Sequence, residues 1–250
     1  MKRKTPRTRL DNLVVARGLA SNAQKAQAMI LAGEVFVNGA RVSTSGTPIA
    51  EDALVEINSR EQRFASRGGF KLEGALRDFH VDPHGKICLD VGSSTGGFTD
   101  CLLQHGANRI YAVDVTVDQI AWKLRQDARV VRVERNAREL SARDVPESVD
   151  LVTVDVSFIS AGKVLAPASS VAKEGASFLI LVKPQFELGR EEIGSGGIVL
   201  DTALHEKAIS IVQQAATSAG LECLGLQPSQ LAGAEGNQEY FLHARKNSLG

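Results

Sequence analysis

Four strongly apolar runs constrain this chain more than any other feature: KICLDV (86–91), RIYAVDV (109–115), SVDLVTVDV (148–156) and SFLILVKP (177–184). Each has the length and β-branched content of a strand, and none alternates with polar residues as a half-exposed strand would. Helical patterns such as GGFTDCLLQHG and LHEKAISIVQQAATSAG lie between or after them. Strands apolar on both faces, alternating with helices, define a parallel sheet covered on both sides, because parallel neighbours require crossover connections. The expectation is an open, doubly wound α/β domain.

The runs end on charge: Asp90, Asp114, Asp155 and Lys183. Strands of a parallel sheet point one way, so their ends share one edge, and ligands bind in the crevice there. Singly, such an Asp caps the following helix and such a Lys reaches solvent. Four in succession favour an assembled site. The turn after Asp90, GSSTGG, carries Gly92, Ser94 and Gly96, lets backbone approach a ligand, and presents amides at a helix N-terminus. It lacks the second glycine of the G-x-G-x-x-G dinucleotide fingerprint. With Asp114 available for a ribose diol, the expected ligand is a nucleoside without a pyrophosphate, and S-adenosyl-L-methionine is one.

Ahead of this domain the chain is basic: through Leu72 there are 12 Lys+Arg against 6 Asp+Glu, and 17 against 23 thereafter. Leu10, Leu13 and Val14 predict a helix stopped by Gly18. A second helix, with Ser21 as N-cap and Ala26, Met29 and Ile30 on its apolar face, ends at Gly33. Asn38-Gly39 in VFVNGARV predicts a hairpin, and ALVEI a further strand. Arg9, Arg17, Lys25 and Arg41 fall off the apolar positions. Each alone is an ordinary solvated side chain, but on so small and basic a module a phosphate-facing surface is as good a reading. A polar linker, Asn58 to Arg63, precedes a helix in SRGGFKLEGALRDF, and GREEIGSGGIVLD (189–201) reads as a loop.

Cys88, Cys101 and Cys223 are widely spaced and set among apolar residues, supporting neither disulfides nor a metal site. No run approaches the roughly 18 apolar residues of a membrane span, so a cytoplasmic protein without a membrane partner is expected.

RLDNLVVARGLASNAQKAQAMILAGEVFVNG resembles the alpha-L RNA-binding motif known from a small-subunit ribosomal protein. SRGGFKLEGAL, LDVGSSTGGFTD, AVDV, VTVDVSFIS, LVKPQFELGREEIGSGGIVLD and GNQEYFL resemble the FtsJ-type methyltransferases. In this order the two resemble the TlyA, or hemolysin A, family of rRNA ribose 2′-O-methyltransferases, over nearly the whole chain. The resemblance implies an RNA-binding domain at 8–60 and a Rossmann-like methyltransferase domain at 64–246. It implies S-adenosyl-L-methionine as methyl donor, rRNA or ribosomal subunits as partner, and a cytidine as target.

It also implies a tetrad of Lys71, Asp155, Lys183 and Glu239, and a cofactor pocket at Asp90, Gly92, Ser94, Gly96 and Asp114, with Asn136 toward the adenine. An antiparallel last strand, EYFLHAR, would bring Glu239 to the same rim. Lys183 is the candidate base: burial and the like charge of Lys71 favour its neutral amine, while Asp155 and Glu239 favour its charged form and orient it. The competing readings are a buried ion-pair network serving stability, a non-catalytic RNA-binding or assembly factor, methyl transfer to another class of acceptor, and the membrane activity that the hemolysin name suggests.

Overall fold

A computed structural model describes residues 6–20, 22–57, 63–194, 196–233 and 236–248. The chain divides into two compact units, 1–63 and 64–250.

The first unit opens with a short strand β1 (Arg7–Arg9), absent from the sequence expectation, then α1 (Leu10–Ala16), α2 (Ala23–Leu31), β2 (Val35–Val37), β3 (Ala40–Arg41), β4 (Pro48–Ala50) and β5 (Val55–Ile57). β1 pairs antiparallel with β4, and β3-β2-β5 form a three-stranded antiparallel sheet. Gly18 and Gly33, at φ +71° and +74°, follow the two helices in the left-handed conformation that only glycine adopts cheaply. The expected cap, Ser21, lies outside the described residues; Asn22 caps α2, its side chain accepting from Lys25 N–H at 2.8 Å. Asn38 and Gly39, both at positive φ, turn the β2–β3 hairpin as their dipeptide predicts. Leu10, Leu13, Val14, Ala26, Ile30 and Val35 fill the core. Residues 58–62 of the expected linker are outside the described residues.

The second unit runs α3 (Gly68–Asp78), β6 (Ile87–Val91), α4 (Gly97–Gln104), β7 (Arg109–Asp114), α5 (Trp122–Arg125), β8 (Val130–Glu134), β9 (Val149–Val154), α6 (Gly162–Val171), β10 (Ala172–Val182), α7 (Pro184–Glu187), α8 (Thr202–Ser218), β11 (Leu221–Pro228) and β12 (Tyr240–Lys246). Its seven strands are ordered β11-β12-β10-β9-β6-β7-β8, with β12 antiparallel to both neighbours and the ladders from β10 to β8 parallel. Two cores flank the sheet. On one face Leu89, Val91, Val152 and Ile180 pack with Val164 and Leu165 of α6 and Val212 of α8. On the other Cys88, Ile110, Leu151 and Leu179 pack with Leu72 and Leu76 of α3 and Leu102 of α4. Crossovers on both faces make this the doubly wound arrangement expected from the alternating runs. The described residues of the 189–201 segment form a loop with one 3-10 turn, Arg190–Glu192.

Candidate active site

The C-terminal edge of the parallel strands carries three of the four expected strand-end charges. Asp155 follows β9, Lys183 follows β10, and Asp114 ends β7. Asp90 is different. It lies within β6, fully buried, its carboxylate accepting from Thr99 Oγ1 at 2.6 Å and Thr153 Oγ1 at 3.0 Å. Burial pushes its carboxyl up to about 6, against the pull of the two threonine hydroxyls, with the charge of Asp155 adding to the rise. Asp90 therefore props the turn from below, tying β6 to β9 and to the first turn of α4, and does not sit on the rim itself.

Strand register assembles the rest. Val182 of β10 pairs with Tyr240 of β12, which sets Lys183 and Glu239 opposite each other one step further along. Ile180 pairs with Val154, and Asp155 N–H donates to Val91 O at 2.9 Å, which fixes Asp155 beside both β10 and β6. Lys71 reaches in from α3 to form an ion pair with Glu239, and both side chains are almost completely buried. Lys183 Nζ stands 2.5 Å from Asp155 Oδ1, a charge contact outside hydrogen-bonding angles. The hydrogen bond of Nζ goes to Ser157 Oγ at 2.9 Å. The Phe186 ring lies 5.9 Å from Nζ and packs against Phe158, an exposed aromatic held at φ +68°. The four tetrad residues thus meet in two ion pairs at one end of the sheet.

Beside them, the turn between β6 and α4 has Gly92, Ser94 and Gly96 at positive φ. At Gly92 a Cβ would run into the carbonyl oxygen of Asp155, so the turn can lie this close to the tetrad only as glycine. Asp114 accepts Ser94 N–H on Oδ2 at 2.9 Å and Thr116 N–H on Oδ1 at 3.2 Å, leaving each oxygen a further lone pair. Ser93 Oγ is buried with no partner among the described residues. Asn136 follows β8 and caps the next 3-10 turn. A glycine cradle, an unpartnered hydroxyl and a strand-end carboxylate suit a nucleoside ligand.

Several residues that hold this site carried no role in the sequence reading. Ser157 is one. Asn237, 1% exposed, accepts Val199 N–H at 2.8 Å and donates to Gly197 O at 2.8 Å, binding residues 197–199 two residues from Glu239. Glu187 accepts Ala161 N–H at 2.8 Å, and burial raises its carboxyl above the usual range. Asp100 accepts Ala65 N–H at 2.6 Å and pairs with Lys123 at 2.6 Å. All four lie inside quoted motifs, Asn237 in GNQEYFL, Ser157 in VTVDVSFIS, Glu187 in LVKPQFELGREEIGSGGIVLD and Asp100 in LDVGSSTGGFTD, but no role was assigned to them there.

In the first unit Arg9, Arg17, Lys25 and Arg41 are all exposed. Arg9 is partly committed: it bonds Asp11 through Nε at 3.1 Å and Nη2 at 2.7 Å, holding the buried Asp11 carboxyl down at about 2. Arg17 donates to Glu51 O at 2.6 Å and Arg41 to Ala32 O at 3.3 Å. Each guanidinium retains further donors.

A parallel sheet with an antiparallel β12, and a glycine turn facing a strand-end acid, is the arrangement of S-adenosylmethionine-dependent methyltransferases. A Listeria monocytogenes protein of that class shares the fold, with a TM-score of 0.52 at 15% identity over 73% of this chain and all of its own. Residues 64–246 match the FtsJ-like methyltransferase family and residues 8–55 match the S4 domain. The chain belongs to the FtsJ-like methyltransferase family. Among its relatives, YqxC of Bacillus subtilis is 45% identical over 94% of this chain and 84% of its own length. The 16S/23S rRNA (cytidine-2′-O)-methyltransferase TlyA of Mycobacterium tuberculosis is 42% identical over 96% and 90%. A Streptococcus thermophilus protein described as a hemolysin has a TM-score of 0.76 at 38% identity, covering 98% of this chain and 90% of its own.

Proposed function

We propose that the chain methylates a ribose 2′-hydroxyl of rRNA, on a cytidine, with S-adenosyl-L-methionine as donor. The observation that carries this reading is the convergence of Lys71, Asp155, Lys183 and Glu239 beside the glycine turn. Relatives at 42% identity are named for 2′-O-methylation of rRNA cytidines, which supplies the acceptor. When bound, S-adenosylmethionine supplies a methyl already activated by a sulfonium and leaves as a neutral thioether.

The chain's part is to hold, orient and deprotonate. Backbone at Gly92, Ser94 and Gly96 lies against the nucleoside, Asp114 takes its ribose hydroxyls, and Asn136 borders the adenine. Lys183 Nζ takes the proton of the 2′-hydroxyl as its oxygen bonds to the methyl carbon, a general-base contribution of roughly 10²- to 10⁴-fold. Asp155 and Ser157 face the ammonium that results. Lys71, held by Glu239, steadies charge developing on the attacking oxygen. The exposed cations of the first unit, Arg9, Arg17, Lys25 and Arg41, contact phosphates and bring the ribose to the rim.

Ribosomal subunits from a strain lacking this chain, incubated with tritiated S-adenosylmethionine, test the reading. Lys183→Met should lose transfer while binding the cofactor as the parent does by calorimetry, and the lost label should map to a cytidine 2′-oxygen. Full activity of Lys183→Met would remove Lys183 from the chemistry. Membrane activity has no support here: among the described residues no helix is long and apolar enough to cross a bilayer. Liposome dye release tests that alternative directly.

A further inference from the structure

The hydrogens on Lys183 Nζ pose a geometric problem for a base. A neutral lysine amine has two N–H bonds and one lone pair, all free to rotate about the terminal C–N bond, and the lone pair works only if it faces the incoming hydroxyl. Asp155 Oδ1, although 2.5 Å away, lies off the hydrogen-bonding direction, so it attracts charge without fixing the rotor. Ser157 Oγ, 2.9 Å from Nζ and accepting a hydrogen bond from it, is the acceptor that does fix it. The Phe186 ring centroid lies 5.9 Å from Nζ, where the ring attracts a cation but gives a lone pair nothing to bind.

We infer that Ser157 is a positioning residue for this reaction: it fixes the rotor of Lys183 so that the lone pair faces the acceptor hydroxyl, and it accepts from the ammonium formed when the proton arrives. The inference rests on the reading of Lys183 as the base. Position supports it further. Ser157 is an exposed residue on the loop just past β9, in contact with the buried Lys183, so Ser157 borders the face from which a substrate must come. Its loop is secured at both ends, by Asp155 N–H on Val91 O at 2.9 Å and by Ala161 N–H on Glu187 at 2.8 Å. The proton balance is simple: the 2′-hydroxyl loses one proton, Nζ gains it, and the ammonium then has three donors to share between Ser157 Oγ, the Asp155 carboxylate and solvent. The charged groups that bear on Nζ are Asp155 just past β9, Glu239 across the β10–β12 register, and Lys71 from α3 through Glu239.

The test is single-turnover methyl transfer to ribosomal subunits from a strain lacking this chain, measured across pH for the parent, Ser157→Ala, Ser157→Thr and Lys183→Met. Ser157→Ala should slow transfer about 10- to 30-fold, with cofactor affinity and half-saturating subunit concentration within about twofold of the parent, from the loss of one hydrogen bond to a charged group. Because the lost acceptor favoured the ammonium, the acid limb of the rate profile should move to lower pH. Ser157→Thr, which keeps the hydroxyl, should recover most of the rate and the original limb. A Ser157→Ala rate within twofold of the parent overturns the inference, as does a slow variant with an unmoved limb or one that threonine does not rescue. Lys183→Met separates the two readings: if it stays active the base assignment fails, and if it is inactive while Ser157→Ala is fully active only the role of Ser157 fails.

Discussion

Replacing Asp90 by asparagine should change how the stability of the second unit responds to pH. The carboxyl is fully buried and is pushed up from an ordinary 3.8 to about 6. A raised carboxyl means that the fold tolerates the protonated form better than the charged one. Its contribution is therefore complete below about pH 4 and is lost as pH rises through about 6. About two pH units at roughly 1.4 kcal/mol each correspond to a cost on the order of 3 kcal/mol once the group is ionised. Asparagine fits the same space, keeps hydrogen bonding with the Thr99 and Thr153 hydroxyls, and does not titrate. Urea unfolding followed by circular dichroism, without cofactor, at intervals between pH 4.5 and 8, gives the difference in stability between the two proteins. That difference should shift by about 2 kcal/mol in favour of asparagine across the range, with most of the change below pH 6. A difference constant with pH would refute the reasoning, because it would mean that the hydroxyls of Thr99 and Thr153 offset the desolvation completely.

Three further outcomes follow from other parts of the molecule. Gly92→Ala combines a left-handed backbone at φ +87° with a Cβ driven into Asp155 O, and should cost a few kcal/mol and most of the methyl transfer. Gly85→Ala, at φ +70° with open space around it, should cost only about 1 to 2 kcal/mol and leave transfer intact, as paired unfolding and label-transfer measurements would show. Lys25→Ala should weaken binding to ribosomal RNA and lower the slope of log affinity against log salt by about 1, in filter binding over a salt series, without altering cofactor affinity. Asp11, held at about 2 by Arg9, contributes stability that is complete above about pH 4 and lost as pH falls through about 2, so Asp11→Asn should flatten the acid unfolding of the first unit.

The central strands were legible because both of their faces are buried. β6, β7, β9 and the second half of β10, Phe178–Val182, have to be apolar at nearly every position, and that pattern survives in the bare sequence, whereas Lys173, Glu174 and Gly175 in the first half of β10 are exposed. The edge strands were not legible for the opposite reason: β8 (VVRVE) is polar on its solvent side, and β11 (LECLGLQP) is interrupted by a bulge between Cys223 and Gly225. The same distinction explains Asp90. At the end of an apolar run it reads as a rim residue, yet the hydroxyls that bury it come from residues 9 and 63 positions away in the chain, and nothing local announces them. Ser157 was hidden in the same way, since its partner is 26 residues distant. Arg9 shows the limit of charge counting: its nearest acid, Asp11, takes two of its hydrogen bonds and leaves less of the cation for a phosphate.

Because the tetrad is set by strand register, its spacing belongs to the sheet and not to any loop. β10 is the common neighbour: it pairs with β9 in parallel and with β12 antiparallel, so Asp155, Lys183 and Glu239 stand at the ends of three adjacent strands, Lys183 opposite Glu239 and Asp155 two residues short of that level. Side chains alternate between faces with a period of two residues. A slip of β12 by one residue would therefore present Gln238 or Tyr240 where Glu239 now stands, and Lys71 would lose the carboxylate it pairs with. The slip is opposed on both flanks, because Leu242 and Ala244 belong to one core and Phe241 to the other. Burial of those apolar side chains is thus what holds a lysine and a carboxylate opposite each other to within the tolerance that proton transfer demands.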